Sequence, residues 1–450
     1  MVNFVNREQE LRALRRAVGI RSGLAVVSGR RRVGKTALLD RFAAEWAGSD
    51  ERRAIFLPGT RAPVAEALRR LEERIRAAVP PAPGDLLDLG HLDSWDTALG
   101  YLLARSAEHP LLLVLDEFPY LCEADPALPS TLQARWDHRG EAQLSLVLAG
   151  SHVGLMEDLV AADAPLFGRA DAHLRLAPFG WREAPLLVDA DADAALEAFV
   201  TVGGMPRYLD LWDPRVDALA NLTELLDGPG APLGDEGLVV LQELSPASAA
   251  ARVLELVALG AQTFTAVKDR AGLAPATTSE ALASLESLGL LDRQTPVGQD
   301  PRRTRRVRYR VRDPLLRLWL ALVQPHRESF ELGRGADVLA AHRDRIGRSQ
   351  SQALAAVAAD WLAAREGATT GPWWPAGEDP PVVDAVALRG TTPAAAATAV
   401  WATGVDGAAL RSRLEADLAG GPFAAPDALE VVARSGSAGV TTAEDLYAEG

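Results

Sequence analysis

One stretch restricts the fold of this chain more than any other: Gly29-Arg30-Arg31-Arg32-Val33-Gly34-Lys35-Thr36, entered from the apolar run Leu24-Ala25-Val26-Val27 and left through Ala37-Leu38-Leu39. It meets every specified position of the G-x-x-x-x-G-K-[ST] pattern, and its flanks predict strand, loop and helix in that order. The glycines let the backbone curl so that successive N–H groups face a phosphate, and the helix start behind them adds its positive dipole end. Lys35 then meets the β and γ phosphates, and Thr36 holds Mg²⁺. Gly29 to Ala37 is therefore the expected nucleotide-binding segment.

Composition narrows the setting. With 450 residues, 48% hydrophobic, the chain has room for several domains, each with its own core. A formal charge of −14 argues against coating nucleic acid by overall field, although a local basic patch can still bind it. The single cysteine, Cys122, excludes an intramolecular disulfide and a cysteine zinc cluster. The opening residues lack the basic head and apolar core of a signal peptide, and no apolar run approaches a membrane span, so a cytoplasmic protein is expected. Lys35 and Lys268 are the only lysines. Against that arginine-rich background, a lysine in the loop is informative, because the site calls for a compact ammonium on a flexible stem.

Leu111-Leu112-Leu113-Val114-Leu115 is too uniformly apolar for a half-exposed strand and reads as a parallel strand buried on both faces, ending in Asp116-Glu117. Ligands of such sheets bind beyond the carboxyl ends of the strands, where the loop and this acidic pair both emerge. There Asp116 can orient Mg²⁺ through its water shell and Glu117 can take a proton from the attacking water. The alternative is a solvated acidic loop. Leu144 to Gly150 is another buried strand, followed by Ser151, which can sense the γ phosphate, position water, or cap the next helix. Arg169 can bring positive charge to the transition state in its own subunit or a neighbour's, or form a surface ion pair.

Together with Phe4-Val5-Asn6-Arg7-Glu8-Gln9-Glu10-Leu11, Leu166-Phe167-Gly168-Arg169 and Gly203-Gly204-Met205-Pro206-Arg207-Tyr208, these motifs resemble the archaeal-type ATPase family of the AAA+/STAND group of P-loop proteins. The resemblance implies an α/β fold with a five-stranded parallel sheet over 1–177 and a helical lid over 178–244. It also implies that the box holding Asn6 and Arg7 lies against the nucleotide base, and that Gly204 and Pro206 close over it.

Downstream, helical patterns over 249–259, 264–271 and 276–288, with Gly272 and Gly289 as stops, precede a hairpin from Leu290 whose return arm is 306–312. That order reads as a winged helix-turn-helix over 245–312. On the return arm Val307, Tyr309 and Val311 alternate with Arg306, Arg308, Arg310 and Arg312, and Arg302, Arg303 and Arg305 extend the charge into the turn. The third helix carries no basic residue, which disfavours base reading but leaves phosphate gripping by the 302–312 wing. Otherwise the basic hairpin docks onto the ATPase domain or a partner.

Residues 313–450 resemble a PD-(D/E)XK, restriction-endonuclease-like α/β domain. Val382 to Leu388 matches the strand with the metal-binding aspartate, Asp384, but Ala394 to Thr403 supplies no E-x-K, and the preceding helix, placed at 349–359, has no carboxylate. A single carboxylate does not hold a catalytic divalent ion, so nuclease activity is not expected. The expectation is an ATP-binding, Mg²⁺-dependent ATPase acting as a switch, with a protein partner or a second copy engaged. A nucleotide-regulated DNA-binding protein is the competing reading.

Overall fold

A computed structural model describes residues 4–448 except 20–21, 49–50, 82–83, 85–86, 88–90, 245–247, 378–381, 420 and 424–425. The chain divides into two compact units, Met1–Pro178 and Phe179–Gly450. The boundary expected between 244 and 245 adjoins residues outside the described set.

In the first unit, β1 (Leu24–Ser28), β2 (Arg53–Pro58), β3 (Leu111–Asp116), β4 (Leu144–Gly150) and β5 (Ala172–Arg175) form one parallel sheet in the order β2-β3-β4-β1-β5. Every residue of β1, β3 and β4 is buried, as their unbroken apolar runs require of central strands covered on both faces. β5 and β2 are the edges, and the burial of β5 alternates. Register aligns the carboxyl ends: Ser28 pairs with Gly150, Leu115 with Leu148, and Asp116 with Pro58. Since β4 lies between β1 and β3, Ser151 emerges between the phosphate loop and the acidic pair.

Helices cover both faces. α1 (Glu8–Val18) buries Leu11, Leu14 and Val18, the stripe its spacing predicts. α2 (Lys35–Trp46) begins at Gly34, whose φ of 95° lies in the left-handed region that favours glycine, and buries Leu38, Leu39, Phe42 and Trp46. Trp95, Leu99, Phe118 and Trp136 pack with Leu113, Leu146 and Leu148 in the sheet's core.

The second unit opens with short helices between Ala184 and Glu243. Gly204 is dictated by close approach: a Cβ there would lie 1.8 Å from the Phe179 carbonyl oxygen, while the Phe179 N–H donates to Gly204 O at 2.8 Å. Pro206 starts helix Pro206–Asp210, where its missing N–H costs nothing. Helices Ala249–Ala258, Phe264–Ala271 and Pro275–Ser287 follow, the second capped by Thr263 and ended by Gly272 at φ 66°. β6 (Leu291–Gln294) and β7 (Arg308–Val311) then pair antiparallel, a shorter return arm than expected.

The last layer is one long helix, Arg343–Glu366, against a mixed sheet in the order β12-β11-β10-β9-β8. Its strands are β8 (Thr369–Trp373), β9 (Val383–Arg389), β10 (Thr392–Val400), β11 (Ala428–Ala433) and β12 (Val440–Thr441). Small side chains of β9 and β10 let the helix approach closely, and Leu354, Val357, Trp361 and Leu362 fill the space with Ala385, Ala387, Ala395 and Ala397. This helix corrects the 349–359 expectation. Its extra turns carry Asp344, Asp360 and Glu366, but Asp360 accepts from Trp181 Nε1 at 2.8 Å, and Glu366 binds Arg365 and Arg389 at 3.0 and 2.7 Å.

Candidate active site

The carboxyl edge of the first sheet gathers five polar side chains from three strand ends. Lys35, buried at 5% exposure, donates Nζ to Gly29 O at 2.8 Å and Arg30 O at 3.2 Å, so it rests on the carbonyls of its own loop. Thr36 Oγ1 donates to Asp116 Oδ2 at 2.7 Å, and the Glu117 N–H donates to Asp116 Oδ1 at 2.9 Å. Both oxygens of Asp116 are thereby engaged. Burial pushes its carboxyl above the ordinary aspartate range, opposed by the Thr36 hydroxyl and aided by the neighbouring Glu117 charge.

Glu117 is held in an unusual pose. Its backbone is left-handed at φ 47°, ψ 44°, a conformation costing about 1–2 kcal/mol for a residue with a side chain. Ser151 Oγ donates to Glu117 Oε2 at 2.8 Å and the Ser151 N–H to the same oxygen at 3.3 Å. Ser151 does not cap the next helix. His152 does, its Nδ1 accepting from the Leu155 N–H at 3.2 Å.

Gly59 and the backbone contacts of Arg7 are not foreseen from the sequence. Gly59 donates its N–H to Asp116 O at 2.7 Å, and a Cβ there would sit 2.5 Å from Glu117 O, so only glycine lets β2 end beside the acidic pair. Arg7, 7% exposed, donates Nη2 to Val33 O at 3.2 Å and Ala177 O at 2.7 Å, and pairs through Nη1 with Glu10 at 2.9 Å. It ties the phosphate loop to the last residues of the first unit. Asn6 and Arg7 both have positive φ, 55° and 70°, a pair of left-handed residues that hints at a built corner. Within the loop, Arg31 and Ala37 are exposed, Arg30 is half-buried, and Arg32 takes φ 67°.

Arg169 is elsewhere. Its Nε and Nη2 grip Asp137 Oδ1 and Oδ2 at 2.7 and 2.8 Å. Asp171, two residues on, accepts the Leu24 N–H at 2.9 Å, at the amino end of β1. The phosphate loop leaves the other end of that strand, about 15 Å away at ~3.3 Å per residue. The expectation that Arg169 serves the site within its own subunit is corrected: the β4–β5 connection returns it to the opposite edge. Gly204 and Pro206 belong to the second unit.

The donor set suits a magnesium–nucleotide. Among the described residues no group of three or more His, Cys, Asp or Glu is placed to hold a metal unaided. One hydroxyl and one buried carboxylate beside a phosphate loop suit Mg²⁺, which keeps several waters and takes its other ligands from phosphate.

The basic hairpin is partly occupied. Arg306 donates to Trp374 O at 2.9 Å, Arg308 lies 4.9 Å over the Trp374 ring, and Arg310 donates to Gln352 O at 2.9 Å. These arginines pack on the last layer of their own unit, whereas Arg302, Arg303, Arg305 and Arg312 are exposed. Asp384 accepts the Ala399 N–H at 2.9 Å and the Thr398 hydroxyl at 3.3 Å. No described helix is long and apolar enough to cross a membrane.

Residues 4–211 match the ATPase domain described as predominantly from Archaea. The uncharacterized protein MJECL04 of Methanocaldococcus jannaschii is 22% identical over 339 residues, spanning 73% of this chain and 71% of that protein. Among solved structures, the Walker-type ATPase PABY2304 of Pyrococcus abyssi is similar with a TM-score of 0.53 and 20% identity, covering 71% of this chain and 96% of that one. The ORC2 protein of Aeropyrum pernix reaches a TM-score of 0.45 at 16% identity, covering 72% of this chain and 95% of that one. The loop, the acidic pair and the parallel sheet that aligns them thus sit inside residues 4–211, the region that matches the archaeal-type ATPase domain.

Proposed function

We propose that this protein binds ATP with Mg²⁺ and hydrolyses it, using Lys35 on the phosphates and Glu117 as the base. The observation that carries the reading is the Glu117 carboxylate, fixed by Ser151 beside the Thr36–Asp116 contact. Lys35 exchanges two loop carbonyls for phosphate oxygens, a better partner for an ammonium. Thr36 and Asp116 would hold Mg²⁺, which when bound neutralises charge on the β and γ phosphates. Ser151 keeps Glu117 oriented so that its free oxygen can accept a proton from water. Glu117→Gln should keep ATP affinity within about threefold while lowering turnover by about 10²–10³-fold. Turnover equal to the parent's would remove Glu117 from the role.

Nucleotide state is proposed to act on the rest of the chain through Arg7, since its guanidinium joins Val33 of the loop to Ala177, two residues before the second unit begins. Arg7→Ala should bind ATP yet lose any nucleotide-dependent change in proteolytic cleavage near 178. Identical cleavage patterns in variant and parent would break that link. Gly204 and Pro206 are read as lid residues, and Arg169 as a group acting on a neighbouring copy. The three helices with β6 and β7 are read as a winged helix-turn-helix, and the last layer as a PD-(D/E)XK-like domain without its chemistry.

A second reading, regulated DNA binding, is favoured by one observation: Arg302, Arg303 and Arg305 stand exposed in the β6–β7 turn. A gel shift with duplex DNA, abolished in R302A/R303A, tests it.

A further inference from the structure

Three adjoining cavities surround the Leu259–Thr263 turn of the second unit, and arginines line each. The first, about 770 Å³, lies between that turn, the approach to β7 and Trp374–Gly377, with Arg305, Arg306 and Arg308 on its wall. The second, about 350 Å³, shares Gln262, Arg308 and Trp374 with the first and adds Arg310, Gln352 and Asp384. A third, about 200 Å³, shares Gly260 with the first and Gln352 with the second and is lined by Arg317, Arg345 and Arg348. Among the described residues, seven arginines and one carboxylate line the three, in a chain of net charge −14.

Neutral groups help to position three of these guanidiniums, those of Arg306, Arg310 and Arg317. Arg317, 7% exposed, donates to Ser349 Oγ at 2.9 Å, Ser349 O at 2.8 Å and Val311 O at 3.0 Å. Arg306 and Arg310 are positioned by the Trp374 and Gln352 carbonyls. Carbonyls orient a guanidinium without cancelling its charge. Among the described residues the carboxylates that act on these arginines are Asp384 on the wall, Asp313 beside Arg317, and Asp292, 3.6 Å from Arg310 and 2.7 Å from Arg312. Burial pulls the Arg310 and Arg317 guanidiniums below their ordinary range, which marks a site that an incoming anion would relieve.

We propose that this groove binds a single strand of nucleic acid by its phosphates. One phosphate would satisfy one cavity; a row of three calls for a chain of them. Concave compartments of this size admit a sugar–phosphate segment, while a duplex carries its phosphates on a wide cylinder that touches surfaces without entering them. Gln262, Gln294 and Gln352 offer amides to base edges or phosphate, and half-buried Phe264 offers a ring, a sequence-tolerant set. Helix Pro275–Ser287, the groove-reading element of a winged helix, lines none of the cavities.

The test is fluorescence anisotropy of the full chain, without nucleotide, with a labelled 15-nucleotide thymidine oligomer and with a duplex of equal length, across a salt series. Single strand should bind more tightly than duplex. R345A/R348A, altering side chains at the cavity mouth, should weaken binding at least tenfold and reduce the salt slope by about 1.4, at ~0.7 per phosphate contact. R302A/R303A, outside the groove, should leave single-strand binding within twofold, and so should K35A, which separates this site from the ATPase reading. An unchanged melting temperature of R345A/R348A shows that the loss is not unfolding. No binding at low salt, preference for duplex, or loss in R302A/R303A but not in R345A/R348A overturns the proposal.

Discussion

Asp116 and Asp384, one in each unit, are set at opposite ends of their strands and have opposite prospects. Each is an aspartate of a sheet strand, and burial raises the carboxyl of each. Asp116 ends its strand at an edge where two neighbouring strands also end, so a hydroxyl, an ammonium and a second carboxylate arrive with it. Asp384 lies near the start of β9, hydrogen-bonded to the next strand at Ala399 and Thr398, with Arg310 as the charge facing it. A buried carboxylate becomes a reaction site through what converges on it, and the topology of the sheet decides that.

The strongest way to break the comparison is to take convergence away from Asp116. Lys35→Ala should weaken ATP binding by about 10²-fold or more, since a charge-assisted contact made in a dry site is lost; calorimetric titration with a non-hydrolysable analogue checks it. Thr36→Val comes next. It leaves Asp116 Oδ2 without its hydroxyl, at about 1–3 kcal/mol for an unsatisfied buried acceptor. It should lower both stability in urea and the Mg²⁺ dependence of ATP binding. Ser151→Ala is milder: Glu117 keeps its place but loses one restraint, so turnover should fall about tenfold with KM little changed. A large KM effect would give Ser151 a phosphate contact instead.

Arg169 sharpens the same point from the opposite edge of the sheet. Its motif resembles a catalytic arginine, yet its ion pair with Asp137 and the anchoring of Asp171 on β1 put it a strand's length from the loop. Only a second copy could bring it to a phosphate. Turnover per molecule should then rise with protein concentration in the parent and stay flat in Arg169→Ala; flat behaviour in both leaves Arg169 as a surface ion pair.

What was legible in the sequence was local. The unbroken apolar runs of β1, β3 and β4 revealed burial on both faces, the spacing of Leu11, Leu14 and Val18 revealed α1, and the loop and acidic pair declared their place at strand ends. The convergence of Lys35, Thr36, Asp116, Glu117 and Ser151 followed from parallel strands sharing one functional edge. The rest depends on tertiary approach. No periodicity shows Arg7 reaching Val33 and Ala177, or which edge a connection returns Arg169 to. The alternation on β7 exposed a polar face but not that Trp374 and Gln352 would cover it, since those residues come from elements 40 or more positions away. The long helix was cut short because its alanine-rich middle marks the buried face while its ends read as surface.

The smallest expected effect belongs to Asp384, and its sign is the informative part. Its folded-state pKa is raised, so the folded protein holds this proton more tightly than the unfolded chain does; that contribution is full below the ordinary aspartate range near pH 3.9 and is lost as pH rises through the folded value. Asp384→Asn keeps an acceptor for Ala399 and Thr398 and removes the buried charge. The second unit of the variant should therefore melt higher than the parent's at pH 7, and the difference should shrink as pH falls toward 4. ATP turnover should not change, and a nicking assay of the parent with Mg²⁺ or Mn²⁺ should show no cleavage. If instead the asparagine variant lost stability at pH 7, the Arg310 charge would outweigh burial, and Asp384 would be a structural anion whose partner is the basic hairpin.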